Sequence, residues 1–427
     1  MKKVLIITYY WPPSGGAGVQ RWLKFVKYLP DFEVQPFVLT VDPVQAEYPV
    51  LDHSLETDVS PELEVYRTSC KGVYDWYKKL TGSKIAPYGG FANESRPGFL
   101  QKLARFIRGN IFLPDARRGW LKYAFAEACR IIEKQSIDTV ITTGPPHSTH
   151  LIGLKINRKF HVKWMVDFRD PWSTIYYNDL LYRTRWAQKI DQQMEQSVLD
   201  ACDHLLLVSV DQQRLSVHPK KVTFLPNGFD SIDFDEKKFD FPDVFTFCYT
   251  GTIADSYPVA GLIEAFKFLR IHADFRLLFV GKIADGIKKD FFNALSNSVE
   301  FIDFVSHTEA TRFMLSSFVL LLIIPKTESN LFIMPGKLFE YLATGKTIIL
   351  VGSPDSRAAQ IITQARAGAA FDYDDLEGMK KFLLQQYQSY KEKQLPQTDS
   401  DFIQGFNRKA LTGKIAEIIK LKLTKTN

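Results

Sequence analysis

The sequence is poor in several things that would settle its chemistry early. Only four cysteines occur in 427 residues, Cys70, Cys129, Cys202 and Cys248, all far apart. None has the spacing of a metal or redox site, and so sparse a set suits a reduced compartment. No apolar run approaches the ~20 residues that a membrane-crossing helix needs. The apolar part of Met1-Lys2-Lys3-Val4-Leu5-Ile6-Ile7-Thr8 is too short for a signal peptide, and no small-residue cleavage site follows. It reads as a first buried strand, and the protein is expected in the cytoplasm. A strong basic excess is also lacking. The net charge of +6 suits an anionic ligand or a membrane surface, not a dedicated nucleic-acid binder. Neither the dinucleotide fingerprint nor the P-loop ending is present.

Apolar and aromatic residues are plentiful. Hydrophobic content is 45%, with 33 Phe, so large cores can be filled, and the length suits two or three domains. Short apolar runs alternate with amphipathic ones along most of the chain. Strands are expected at Val4–Thr8, Val34–Val41, Ile137–Thr142, Val162–Phe168, His204–Val208 and Val222–Leu225. A second series runs through Phe245–Thr250, Phe275–Val280, Val299–Phe304, Phe318–Pro325, Thr347–Val351 and Ala369–Phe371. Helices between them imply parallel sheets. The expected fold class is therefore α/β, two Rossmann-like doubly wound domains facing across a cleft. The expected divisions are 1–229, a linker at 230–243, a second domain at 244–403, and a final helix and tail at 404–427. Residues 43–98 show no clear pattern.

Candidate functional residues cluster where strands give way to helices. Pro12-Pro13-Ser14-Gly15-Gly16-Ala17-Gly18 lies between the first strand and the helix Val19–Leu29, a place where Gly15 and Gly16 let backbone approach a ligand. Gly144-Pro145-Pro146 precedes His147 at another such junction. Asp170 precedes Pro171 and is either a turn residue or a site carboxylate. Gly251-Thr252 and Gly281-Lys282 end two strands of the second series. In Pro335-Gly336-Lys337-Leu338-Phe339-Glu340-Tyr341-Leu342-Ala343-Thr344-Gly345, Pro335 and Gly336 start a helix and Gly345 ends it. Its start offers N–H groups and a positive dipole end to a phosphate, with Lys337 beside it. Glu340 lies one turn in, where it can accept bonds from a ribose diol. A surface Lys–Glu pair would show the same pattern. Asp372-Tyr373-Asp374, a metal-like string, reads as helix capping. Phe99–Phe112 is amphipathic. Leu100, Leu103, Phe106, Ile107 and Ile111 mark an apolar face, and Lys102, Arg105, Arg108, Arg117, Arg118 and Lys122 a basic one, flanked by Trp76 and Trp120. It is either a core helix with a wet basic face or a segment docked on an anionic membrane.

Six stretches occur in one order: the glycine loop, Gly144-Pro145-Pro146-His147-Ser148, Pro226-Asn227-Gly228, Tyr249-Thr250-Gly251-Thr252, Val280-Gly281 and the Pro335 helix. With them the chain resembles the GT-B glycosyltransferases, specifically glycosyltransferase family 4, over nearly its whole length. The resemblance implies a glycosyl transferase that moves a sugar from a nucleotide-sugar donor to a glycan or lipid-linked acceptor, in cell-surface polysaccharide synthesis. Transfer would retain the anomeric configuration and need no metal and no cofactor. The second domain would hold the donor. Glu340 would bind ribose, and Gly251, Thr252, Lys282, Gly336 and Lys337 would surround the diphosphate. Gly15 and Gly16 would serve the acceptor side, and His147, Asp170 and Lys282 would serve catalysis. The last helix would cross back to the first domain. Two departures stand out. The place of the family's earlier acid, separated from Glu340 by seven residues, is taken by Phe332 here, and Ala254-Asp255-Ser256-Tyr257-Pro258 lacks the usual Arg and Lys. A nucleotide-sugar epimerase or a non-catalytic nucleotide-sugar-binding protein would share the fold.

Overall fold

The computed structural model describes residues 1–70, 99–209, 221–235, 241–327 and 330–421. The chain divides into two compact units. One comprises Met1–Pro226 with Lys409–Asn427, the other Asn227–Arg408.

The first unit is built on seven parallel strands: β1 Lys2–Ile7, β2 Val34–Val41, β3 Glu64–Thr68, β4 Thr139–Gly144, β5 Lys163–Phe168, β6 His204–Leu207 and β7 Val222–Phe224. Their order is β3-β2-β1-β4-β5-β6-β7. Strand β1 is apolar on both faces because both are covered, as parallel sheets require. Leu5 and Ile7 pack with residues of the helices Leu121–Gln135 and Ser148–Phe160. Val4 and Ile6 pack with Trp22, Phe25 and Val26 of the helix Ala17–Tyr28, and with Leu411, Ile415 and Ile419 near the chain's end. The final segment thus belongs to this unit because its apolar stripe completes the second face of the sheet.

The second unit carries six parallel strands: β8 Thr246–Thr250, β9 Arg276–Val280, β10 Val299–Ile302, β11 Val319–Ile323, β12 Thr347–Val351 and β13 Gly368–Phe371. The order is β10-β9-β8-β11-β12-β13. Phe247, Leu277, Leu321 and Ile323 pack with Phe266, Phe291 and Leu383 of three covering helices. In each unit the strand order reverses once, between β1 and β4 and between β8 and β11. The carboxyl ends beside such a reversal are where open α/β sheets bind ligands.

Several elements differ from the sequence-based expectations. The span 43–98 does contain an edge strand, β3, paired with β2 from Phe37↔Glu64 to Val41↔Thr68. Its short alternation, half-exposed, left little periodic signal. The helix Leu121–Gln135 was not anticipated. The expected final helix is two, Ser400–Gln404 and Arg408–Lys420. The break has a backbone cause: Phe229 N donates to Phe406 O at 3.1 Å and Arg408 N donates to Phe229 O at 2.7 Å, so these groups serve a bridge and not a helix. Ile232–Asp235, in the expected linker, is a helical turn.

The amphipathic helix forms at Phe99–Ile111, but reversed from a core helix with a wet basic face. Arg105, with Ala104, is buried, and Arg117 is also buried, its guanidinium against the Glu47 carbonyl at 3.3 Å. Phe99, Leu103, Phe106 and Ile111 are exposed. Trp120 is buried and donates to Thr68 Oγ1 at 2.7 Å, so it is no surface anchor; Trp76 lies outside the described residues. No helix among the described residues is long and apolar enough to cross a membrane.

Candidate functional site

In the second unit the site is assembled at the β8/β11 reversal. Gly251 and Gly281, each following a strand, have φ of 117° and 127°, a region open to glycine. A Cβ on Gly281 would lie 2.2 Å from Gly251 O, so the two turns meet backbone to backbone with no room for a side chain. Thr250 N donates to Tyr341 Oη at 2.9 Å, which ties the β8 end to the helix Gly336–Ala343. That helix forms as its sequence suggests. Pro335 is its extended N-cap, Leu338, Phe339, Tyr341 and Leu342 are buried, and Gly345 has φ 66° beyond its end.

Lys337 lies at the centre. Its Nζ is 3.9 Å from the centroid of the Tyr249 ring, and a Cβ on Gly251 would come within 2.6 Å of Nζ. Any side chain at 251 would displace the ammonium. Burial pulls Lys337 down to about 7, with Glu340 drawing it the other way. Glu340 accepts a hydrogen bond at Oε1 from His307 Nε2 at 3.1 Å, and Asp233 lies 4.0 Å from the same imidazole. Burial alone would raise the Glu340 carboxyl. The His307 bond and charge, then Arg408 and Lys337, outweigh it and hold the carboxyl below its usual range. Burial would lower His307, but Glu340 and Asp233 hold it above its usual value. Glu340 is therefore a held carboxylate, not half of an exposed Lys–Glu pair. Its Oε2 carries no hydrogen bond among the described residues.

Lys282 is exposed, and its carbonyl accepts from Ile253 N at 3.0 Å. Thr252 and Gly336 are half-buried. Phe332, in place of an acid, is 41% exposed. In the Asp372 string, Asp372 Oδ1 accepts from Tyr373 N at 2.7 Å, but the helix cap is the next acid, Asp375, which accepts from Gly378 N at 3.0 Å. Among the described residues no three His, Cys, Asp or Glu side chains are grouped to hold a metal ion.

In the first unit the β1/β4 reversal gathers the other candidates. Gly16 has φ 106° and open space where a side chain would project, while Gly15 N donates to Val50 O at 2.9 Å. Gly144-Pro145-Pro146 turns through two cis peptide bonds. It delivers His147 to the start of the Ser148–Phe160 helix, where Ser148 N and Oγ donate to Asp115 at 2.8 and 2.9 Å. The His147 ring is buried and stacked on Trp172, centroids 5.0 Å apart and planes 9° apart. It is a wall of the loop cluster more than a projecting group. Asp170 is exposed at the end of β5. Arg169, next to it, donates to Gly144 O at 3.2 Å, and its Nη1 would meet a Cβ on Gly18 at 1.8 Å. Gly18 thus makes room for a guanidinium, a role not assigned to it from sequence.

Beneath these loops lies a network missed in the sequence. Asp167, fully buried, accepts from Arg21 Nη2 at 2.7 Å, Trp22 Nε1 at 2.6 Å and Thr143 Oγ1 at 2.8 Å. Arg21 Nη1 also donates to Pro226 O at 2.8 Å. A carboxylate inside a sheet is tolerable only when so fully paired. Arg21 among Val19, Trp22, Leu23 and Phe25, and Asp167 within an apolar strand, were the available signals. The network pins the glycine loop's helix to β4 and β5.

Two doubly wound parallel units, each with glycine turns at its reversal and the last segment returned to the first, define the GT-B architecture. The chain shares that fold with solved glycosyltransferase structures. A glycosyltransferase from Rickettsia africae ESF-5 matches with a TM-score of 0.62 and 14% identity, covering 98% of each chain. Anabaena Alr3699/HepE in complex with UDP and glucose matches with a TM-score of 0.60 and 11% identity, over 98% of this chain and 99% of that one. Sucrose-phosphate synthase from Thermosynechococcus elongatus matches with a TM-score of 0.61 and 14% identity, over 98% of each. No protein-family model matches the sequence. No curated protein matches it either.

Proposed function

We propose that this protein is a glycosyltransferase that moves a sugar from a nucleotide-sugar donor to a glycan or lipid-linked acceptor. The observation that carries this reading is the grouping of Lys337, the bare turns Gly251 and Gly281, and the held carboxylate Glu340 at one sheet reversal. A diphosphate needs a cation, backbone amides and space, and these residues supply all three. A ribose diol needs a fixed acceptor one helical turn further in. Glu340 Oε2 is such an acceptor, aimed by the His307 bond at Oε1.

The chemistry asks for stabilisation of the departing diphosphate as the glycosidic bond lengthens. Lys337, Lys282, Thr252 and the amides at Gly251 and Gly336 would carry that charge, and one such donor is worth ~3 kcal/mol. The acceptor hydroxyl would attack from the face the diphosphate leaves, with the departing phosphate taking its proton, so the configuration is retained. His147, held by Trp172, would contact the sugar, and Asp170 is an exposed carboxylate on the same loop cluster. No metal is required in this scheme, and the acceptor belongs to polysaccharide assembly on the inner face of the cell membrane.

The test is product analysis with a nucleotide-sugar panel and a lipid-linked glycan acceptor, with and without EDTA. A new glycosidic bond with the donor's configuration, formed equally in EDTA, is the expected result. An altered nucleotide sugar without transfer would identify an epimerase. Tight nucleotide binding without turnover would identify a binding protein. Loss in EDTA with rescue by magnesium or manganese would overturn the metal-free scheme.

A further inference from the structure

The helix Phe99–Ile111 turns its apolar stripe outward. Phe99, Leu103 and Phe106 fall on one line of the helix, with relative exposures of 81%, 39% and 42%, and Ile111 at the end is 61% exposed. The inward side is made of Ala104, Arg105 and Gly109. Gly109 fits flush, since a Cβ there would lie 2.5 Å from Leu181 O. An amphipathic helix normally buries its apolar side. Here Ala104, Gly109 and the buried Arg105 pack against the unit, and the large apolar residues face out.

The stripe does not end with the helix. Asn110 lies on the same line, one turn beyond Phe106. Its Nδ2 donates to Tyr182 O at 3.1 Å, and its Oδ1 accepts from Thr184 N and Oγ1, both at 2.8 Å. The turn held in this way starts the helix Arg185–Ala201. It adds Leu180, Tyr182 and Trp186 to the exposed apolar surface, Trp186 at 67%. Contiguous exposed apolar side chains of this size mark an interaction surface.

The charge around the patch selects the partner. Lys102, Arg118, Lys122, Arg185 and Lys189 are exposed, and none pairs with a carboxylate among the described residues. Arg118 reaches Ile111 O at 3.5 Å, which places it at the helix end. No Asp or Glu occurs from 99 to 114 or from 180 to 190. A second copy of the chain would bring the same uncompensated cations face to face. An anionic lipid surface neutralises them and accepts the aromatic and aliphatic groups at headgroup depth.

We propose that the exposed apolar stripe of Phe99–Ile111, continued by Tyr182 and Trp186, is a docking surface for an anionic lipid bilayer. It deepens, and rests for its biological sense on, the proposal of a lipid-linked acceptor. Vesicle binding needs no donor and no transfer, however, so the two can fail separately.

The full chain is mixed with vesicles of phosphatidylcholine alone or with 30% phosphatidylglycerol, with and without brominated acyl chains. Wild type should co-sediment with the anionic vesicles, at least tenfold better than with neutral ones, and its tryptophan emission should be quenched by the brominated lipid. Trp11, Trp22, Trp120, Trp164 and Trp172 are buried, and Trp76 is replaced by Phe in every protein used for the quenching. The quenching should therefore largely disappear in Trp186→Phe while binding persists. Phe106→Ser/Trp186→Ser should lose binding at least tenfold, and so should Lys102→Glu/Lys122→Glu/Arg185→Glu. Both should keep wild-type nucleoside diphosphate affinity, which shows the fold intact. Absence of anionic-vesicle binding would overturn the proposal. So would binding that survives the Phe106/Trp186 pair, quenching unchanged in Trp186→Phe, or a dimer in sedimentation velocity that the same pair dissociates.

Discussion

Lys337 should make nucleoside diphosphate affinity fall as pH rises above neutrality. Burial against Tyr249 moves its ammonium from the ordinary 10.5 to about 7. At about 1.4 kcal/mol per pKa unit, charging it there costs on the order of 5 kcal/mol more than in water. A diphosphate beside Nζ supplies the opposite charge and returns the group towards its ordinary value. The sign follows from which state holds more protons. Above pH 7 the free protein has lost this proton and the complex keeps it, so binding takes up a proton and weakens with pH. Between pH 7.5 and 9, above the ~6 of a phosphate's second ionisation, affinity should drop about 20-fold for a free-state value near 7. Calorimetric titration at pH 8.5 in two buffers of different ionisation enthalpy should read about one proton taken up. Lys337→Arg keeps its charge throughout and should flatten the profile. A flat wild-type profile with no proton uptake and intact binding would refute the reasoning. Equal affinity in Lys337→Met at pH 7 would remove the residue from the diphosphate site.

Four further outcomes are expected. Glu340→Ala should weaken nucleotide binding by ~1.5–3 kcal/mol, the worth of a hydrogen bond to a charged group, and His307→Ala should weaken it less; unchanged affinity in a folded Glu340→Ala would exclude the ribose role. The His307–Glu340 pair also stabilises the fold: the contribution from His307, held high, is full below its ordinary 6.5 and lost as pH rises through its raised value, and that from Glu340, held low, is full above its ordinary 4.5 and lost below. The stability lost in His307→Ala, followed by urea unfolding, should therefore peak between about 4.5 and 6.5, and a pH-independent loss would contradict the pairing. His147→Ala should lower turnover while diphosphate affinity stays near wild type, since its ring packs on Trp172 in the first unit; loss of that affinity would count against a sugar-side role. Arg21→Met should destabilise by ~3–5 kcal/mol because Asp167 stays buried without its cation, and urea denaturation showing less than ~1 kcal/mol would mean that Trp22 and Thr143 suffice.

What the sequence determined by itself is whatever local chemistry can encode. Strands buried on both faces must be apolar almost throughout, so the runs at Val34–Val41 and Thr347–Val351 announce parallel sheets. Turns with positive φ need glycine, so Gly251, Gly281 and Gly345 marked strand and helix ends before any fold was known. The ends of strands and starts of helices then placed Lys337, Glu340 and His147 at carboxyl edges. Tertiary structure alone decided their partners. His307 stands 33 residues before Glu340, and Arg21 stands 146 before Asp167, and no periodicity links such positions. Pairing of buried charge is a demand on space, which only the packed chain can answer. The same holds for Phe99–Ile111. Its 3.6-residue rhythm specifies that one side is apolar, but not whether that side meets protein or solvent. That was settled by Gly109, a residue small enough to let the opposite side of the helix close on Leu181.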